Sequence, residues 1–290
     1  MTQNALVRHQ DGFYEITPKP SPEALAAFYR DKYYGARDGR SQYAHGYTDE
    51  ELEHKRISAA EIARMADRAP GRVLEVGVGE GFTLDHFVGL GWTAQGIDFT
   101  SDGVGQFFPQ HLDKVRTGDA FALLDDVIAL GEVFDLVICN NVIEHVIDPL
   151  GLLQRLRAIV APAGLLRLSA PNDGSWLQHE VVTRGLARPD FWVNPPEHLS
   201  YFTAPSLTRL MERAGWSVQD MLGDFPVDLF LLNPDSCYTD APAKGRNCHF
   251  ARVAFEMGLW RRSIDDLINF RRGCALSGLG RNLAAYARPR

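Results

Sequence analysis

With 290 residues, the chain has room for one large α/β domain with additions, or for two modest ones. Its 45% apolar and 23% charged content is that of an ordinary soluble globular protein, and a formal charge of −7 argues against a general binder of nucleic-acid backbones. No apolar run approaches the roughly 20 residues that cross a bilayer, and Met1–Gln10 lacks the apolar stretch of a signal peptide, so the cytoplasm is the expected compartment.

Residues 1–20 read as an irregular or strand-like lead. Ser21 as N-cap and Pro22 at the first helical position open a helix to about Arg30. An aromatic, glycine-rich stretch follows, from Tyr33-Tyr34-Gly35 to Tyr47. It reads either as a surface loop with packed tyrosines or as a lid over a pocket, with Tyr47 as a substrate contact. Thr48-Asp-Glu-Glu51 is a capping box that opens a helix to about Arg68, which Pro70-Gly71 ends. Val73-Leu-Glu-Val76 is then a buried strand that runs into glycines at 77, 79 and 81. Glycine accepts positive φ and lets the backbone approach a ligand closely. In a dinucleotide fingerprint the third glycine would come one residue later. That spacing, with Glu75 two residues before the turn, favours S-adenosylmethionine over NAD.

A helix over 83–89 and a strand ending at Asp98 come next. A carboxylate at the end of a second strand can accept both hydroxyls of a ribose. A short strand at 114–116 leads to Gly118-Asp119-Ala120, where Asp119 is placed for the amine of an adenine. Phe134–Cys139 is a buried strand running into Asn140-Asn-Val-Ile-Glu-His145. Asp148-Pro149 opens a helix that Pro162 and Gly164 close, and Leu165–Ala170 is the next strand. The stretch from 173 to 203 is irregular. A helix over 206–215 and a strand over 216–222 follow. Residues 223–280 hold two helices, at about 249–261 and 263–272, and residues 281–288 suit a last strand. Strands and helices that alternate at this spacing give a doubly wound parallel sheet. The four cysteines, at 139, 237, 248 and 274, form no C-x-x-C pair and read as reduced structural thiols.

Four segments in one order carry a resemblance: Glu75-Val-Gly-Val-Gly-Glu-Gly81, Gly96-Ile-Asp98, Gly118-Asp-Ala120, and Phe134 to Val146. With Pro196–Thr203 and Leu210–Trp216 they make the chain similar to class I S-adenosylmethionine-dependent methyltransferases, in the version shared with ubiquinone-type and small-molecule O-methyltransferases. The resemblance covers roughly residues 70–222 and the terminal strand. It implies a Rossmann-like, seven-stranded sheet whose last strand is antiparallel and lies between the fifth and sixth. It implies S-adenosylmethionine as cofactor, S-adenosylhomocysteine as product, and donor contacts from Glu75, Gly77, Gly79, Gly81, Asp98, Phe99, Asp119, Ala120 and Asn140. Accordingly, residues 1–69 read as an N-terminal helical cap, 70–222 as the donor-binding core, 223–280 as a substrate-side helical insertion and 281–290 as the final core strand.

Methyl transfer to oxygen also needs a base, and His145 and His198 are the candidates. Some relatives hold a divalent metal with acidic residues beside a Glu-His pair. Here Asn140 and Asn141 stand where further carboxylates would be wanted, so no metal is expected. Arg271 and Arg272, with Arg281, read either as a solvated basic face or as a clamp for an anionic acceptor. The expected function is methylation of a hydroxyl on a sugar, glycan precursor or secondary metabolite. The alternatives are transfer to nitrogen or carbon, non-catalytic binding of S-adenosylmethionine, and NAD-linked oxidoreduction. A membrane partner is not expected, and nucleic acid is disfavoured.

Overall fold

The structure, a computed structural model, describes residues 5–34, 46–239 and 241–290. The elements are β1 (Ala5–Arg8), β2 (Tyr14–Thr17), α1 (Pro22–Tyr34), α2 (Asp49–Ala66), β3 (Arg72–Val76), α3 (Phe82–Gly89), β4 (Thr93–Asp98), α4 (Asp102–Phe107), β5 (Val115–Thr117), α5 (Ala120–Ala129), β6 (Phe134–Asn140), α6 (Pro149–Ile159), β7 (Val160–Pro171), α7 (Trp176–Thr183), β8 (Ser200–Tyr201), α8 (Ala204–Arg213), β9 (Trp216–Gly223), α9 (Pro242–Arg262), α10 (Ile264–Leu276) and β10 (Asn282–Pro289). Of the aromatic stretch read as a lid, residues 35–45 lie outside the described residues.

Seven strands form one sheet in the order β5-β4-β3-β6-β7-β10-β9. The pairs β5–β4, β4–β3, β3–β6 and β6–β7 are parallel. β10 runs antiparallel between β7 and β9, as the family resemblance implies. The central strands are largely apolar on both sides because both faces are covered, with Glu75 and Arg167 as buried exceptions. Leu74, Val137, Cys139, Leu166 and Leu168 pack on one face with α5, α6 and α8. Val73, Leu136, Ile138 and Leu165 pack on the other with α2, α3, α4 and Ile268 of α10. The alternation between the two clusters is the period-two geometry of a strand.

Three differences from the sequence reading matter. α4, α5 and α7 are helices that the reading left unassigned. α6 stops at Ile159 rather than at Pro162, and β7 takes up Pro162 and Gly164 through a break in its pairing with β6. Gly164 suits that break, since a Cβ there would come within 3.0 Å of the Phe134 carbonyl oxygen and 2.7 Å of Val160. Finally, the N-terminal lead is a hairpin. Its β2 pairs with β8, so residues near the N-terminus and the stretch around Ser200 build one three-stranded sheet.

The helix pair α9–α10 packs against α2 and β9. Arg271, Arg272 and the following Arg281 are each committed to carboxylates. Arg271 is buried, with Glu61 at 2.6 Å and Glu256 at 2.5 Å. Glu256 also meets His54 at 2.8 Å, and Glu61 accepts the Tyr286 hydroxyl at 2.8 Å. Arg272 pairs with Asp220 at 2.7 Å, and Arg281 pairs with the buried Asp173 at 2.7 Å.

Candidate active site

The carboxyl ends of β3, β4 and β6 open onto a cavity of about 600 Å³. Ligands bind at this edge in doubly wound sheets. The glycine turn forms one wall. Gly77, Gly79 and Gly81 have φ of 81°, 57° and 88°, a region that side chains rarely adopt. A Cβ on Gly77 would sit 2.5 Å from Val142, whereas Gly79 faces open space. Gly77 and Gly79 line the cavity; Gly81 caps α3 beneath it.

Asp98 is held ready at the end of β4. It accepts from the Gly79 N–H at 2.8 Å and from the Thr100 N–H at 3.2 Å. Burial raises its pKa, and the backbone donors oppose that rise. Phe99, Asp119, Ala120 and Asn140 also line the cavity. Asp119 caps α5 by accepting from the Ala122 N–H at 3.0 Å, which fixes its orientation. Asn140 is oriented by Arg167, whose guanidinium donates to its side-chain oxygen. Arg167 was missed in the sequence reading, although an arginine inside Leu165-Leu-Arg-Leu168 is the signal of a buried charge with a purpose.

Glu75 does not face the cavity. It is buried under the turn, against Thr83 and the backbone of Leu84, and burial pushes its carboxyl up to about 8. The proton is therefore bound more tightly in the fold than in the unfolded chain. The stability that this supports is complete below about pH 4.5 and is lost as pH rises through about 8. Glu75→Gln should flatten that slope. Denaturation midpoints at pH 5 and pH 9 should then differ less than in the wild type.

His145 lines the cavity in the turn after β6. Its Nδ1 lies 2.7 Å from the Glu197 carbonyl oxygen, so Nδ1 carries the proton and Nε2 is the basic nitrogen. Nε2 is 3.8 Å from the buried Glu144 carboxyl, which burial raises to about 7. His198 stands behind His145, the two rings 4.8 Å apart and nearly perpendicular. It does not line the cavity; its Nδ1 lies 3.9 Å from Asp173. The main chain joins the two histidines. The Glu144 carbonyl accepts from the N–H groups of Leu199 and Ser200, at 2.8 and 3.2 Å.

Glu144, His145 and His198 bring donor atoms within 4.8 Å of one another, a set that could hold a metal ion. The side-chain oxygens of Asn140 and Asn141 extend it little, being taken by Arg167 and by the Ser169 hydroxyl.

The remaining wall comes from Pro22, Leu25, Ala26 and Tyr29 of α1, with Val142, Val146 and Ile147. The Tyr29 ring lies 6.1 Å from His145 and 6.2 Å from Phe99. The sequence reading places α1 in the N-terminal helical cap without naming its residues as cavity contacts. Arg271 and Arg272 are not brought to the cavity, nor is any other described residue of 223–280. The anion clamp does not form because each arginine is already paired with carboxylates of the body. Tyr47 also stands outside the lining, with its hydroxyl 2.7 Å from Glu80.

A family model described as a methyltransferase domain matches residues 48–220, more than half of the chain. The chain belongs to that family, the class I S-adenosylmethionine-dependent methyltransferases. It is 29% identical over 140 residues to the ubiquinone biosynthesis O-methyltransferase of Burkholderia ambifaria, covering 46% of this chain and 60% of that one. A probable S-adenosylmethionine-dependent methyltransferase of Mycolicibacterium smegmatis is 31% identical over 165 residues, covering 56% and 58%. The match thus spans about 60% of the length of these curated relatives. Among solved structures, a methyltransferase from Archaeoglobus fulgidus superposes with a TM-score of 0.52 at 17% identity, over 90% of this chain and 98% of that one. The 1,6-didemethyltoxoflavin-N1-methyltransferase of Burkholderia thailandensis gives 0.52 at 18%, over 100% and 96%. At such identities the structural likeness speaks for the fold. No helix among the described residues is long and apolar enough to cross a membrane.

Proposed function

We propose that the chain transfers a methyl group from S-adenosylmethionine to a hydroxyl of an uncharged, largely apolar small molecule. The observation that carries this reading is the make-up of one cavity. A glycine turn with a pre-oriented Asp98 stands on one side, and a histidine with a fixed tautomer stands on the other.

When bound, S-adenosylmethionine supplies an electrophilic methyl group on a sulfonium. Gly77, Gly79 and Asp98 would hold its sugar and amino-acid portions, Phe99, Asp119 and Ala120 its adenine, and Asn140 its amino-acid end. On the acceptor side, His145 Nε2 takes the hydroxyl proton, and the Glu197 carbonyl keeps Nδ1 protonated while it does so. Orienting the acceptor against the donor lowers the barrier further by removing translational and rotational freedom.

The lining supports a narrower acceptor class than the sequence did. Among the described residues its charged side chains are Asp98, Asp119 and Asp148, with no lysine or arginine. Carboxylates suit a sulfonium and repel a phosphate or carboxylate acceptor. Apolar side chains of α1 and of the turn after β6 line much of the rest, beside the uncharged polar Asn140 and Asn141 and the imidazole of His145. A neutral hydroxyl compound of the secondary-metabolite kind fits better than an acidic or phosphorylated sugar.

The test is formation of S-adenosylhomocysteine from S-adenosylmethionine with matched acceptors. A neutral aromatic alcohol should turn over at least about tenfold faster than its carboxylated or phosphorylated counterpart, the scale of one desolvated charge. Preference for the anionic member would sink the acceptor class. Failure to bind S-adenosylhomocysteine in calorimetry would remove the whole reading.

A further inference from the structure

Glu80 lies inside the glycine turn, yet its side chain leaves the cavity and reaches α2. Its carboxylate accepts from the Tyr47 hydroxyl at 2.7 Å and from Lys55 Nζ at 2.5 Å. The Lys55 ammonium also sits 4.2 Å over the Tyr47 ring and 5.5 Å from the Phe82 ring. Tyr47 packs 5.9 Å from Phe107, and Phe107 packs 5.5 Å from Phe82. The pair is shielded, with Glu80 14% and Lys55 27% exposed. Burial alone would lower the Lys55 pKa; the contacts with Glu80 and Tyr47 outweigh it and leave the ammonium charged.

The anchor is rigid. Tyr47 immediately precedes the capping box of α2, and Lys55 lies two turns into that helix. Ile57 and Ile62 of α2 are fully buried, and Glu61 is tied to Arg271. The turn is the part that needs holding, because three residues of positive φ within five positions carry a high entropic cost of ordering. The residue before Glu80 matters most, since the N–H of Gly79 holds Asp98.

We infer that Tyr47, Lys55 and Glu80 are positioning residues that lock the glycine turn, through Glu80, in the conformation that binds the donor. The inference rests on the reading that this turn and Asp98 hold S-adenosylmethionine. It gives Tyr47 a role on the donor loop in place of the substrate contact expected from the sequence.

The experiment is calorimetry of the full chain with S-adenosylhomocysteine, on the wild type and on Glu80→Gln, Tyr47→Phe, Lys55→Met and Asp98→Ala. Thermal melts without ligand and steady-state kinetics accompany it. Glu80→Gln should weaken binding about tenfold and Tyr47→Phe about threefold, the range of a shielded charge-assisted contact and of a single hydrogen bond. KM for the donor should rise in step, while kcat at saturating donor falls far less. A purely structural triad would lower the melting temperature and leave affinity within about 1.5-fold, and that outcome overturns the inference. Asp98→Ala separates the two readings. If it loses binding while the triad variants keep theirs, the lock is wrong and the donor site stands. If Asp98→Ala binds as the wild type does, the donor site is wrong and the lock falls with it. Should Glu80→Gln not fold, Tyr47→Phe and Lys55→Met decide the matter.

Discussion

Replacing His145 by alanine should lower kcat by about 10²- to 10⁴-fold, the contribution typical of a positioned general base. S-adenosylhomocysteine affinity should stay within about twofold, because the proposed donor contacts come from the ends of β3, β4 and β6 and the start of α5 rather than from the His145 side chain. His198→Ala should cost less. His198 stands behind His145, outside the cavity lining, so its loss acts through the packing of the perpendicular ring pair. A measured kcat in His145→Ala within about threefold of the wild type would mean that orientation alone carries the transfer. The check needs any accepted hydroxyl compound, methyl transfer followed by release of S-adenosylhomocysteine, and a melt of each variant. His145 also holds the Glu197 carbonyl, and a fall in melting temperature with unchanged rate would assign it to the fold instead.

What could be read from the sequence follows from which signals are local. The strand that ends in the glycine turn was legible because a buried strand, its turn and the next helix are contiguous, and each glycine there has a conformational reason. Asp98 was legible for the same cause: it ends a strand whose position is fixed by spacing. α5 is less legible because Ala120–Ala129 follows a three-residue strand, and Asp119, its N-cap, is equally suited to a ligand. The pairing of His145 with His198 lies beyond local signals. It depends on Glu144 accepting backbone hydrogen bonds from Leu199 and Ser200, and on β8 joining the N-terminal hairpin. The cavity wall on α1 is hidden likewise, since Leu25, Ala26 and Tyr29 look like an ordinary amphipathic face until the helix is placed. The arginines of 271–281 show the reverse error. A sequence displays their charge and conceals their partners, so three paired guanidiniums read as a solvated face or an anion clamp, and neither reading includes the carboxylates they meet.

Arg271→Met should therefore act on stability rather than on acceptor binding, at about 3–5 kcal/mol, the cost of removing one partner from a buried ion pair. The charges left behind set the magnitude. Glu61 and Glu256 are 1% exposed and would face each other's surroundings without a cation, apart from His54. Arg272→Met is the control: its pair with Asp220 is partly solvated, and such pairs contribute about 0–1 kcal/mol. Denaturant midpoints of the two variants should separate accordingly. The pH dependence provides an independent check. Burial would raise the Glu256 pKa, but Arg271 and His54 more than reverse that and hold it at about 2. Its contribution to stability is thus present above about pH 4.5 and lost as pH falls toward 2. In Arg271→Met that acid limb should shrink, because the larger of the two cationic influences on the carboxyl has gone while His54 remains. Adding Glu61→Gln and Glu256→Gln should restore much of the lost stability, since uncharged groups of the same shape no longer need a counterion. If the triple variant stays as unstable as Arg271→Met, the arginine's packing rather than its charge holds α2, α9 and α10 together.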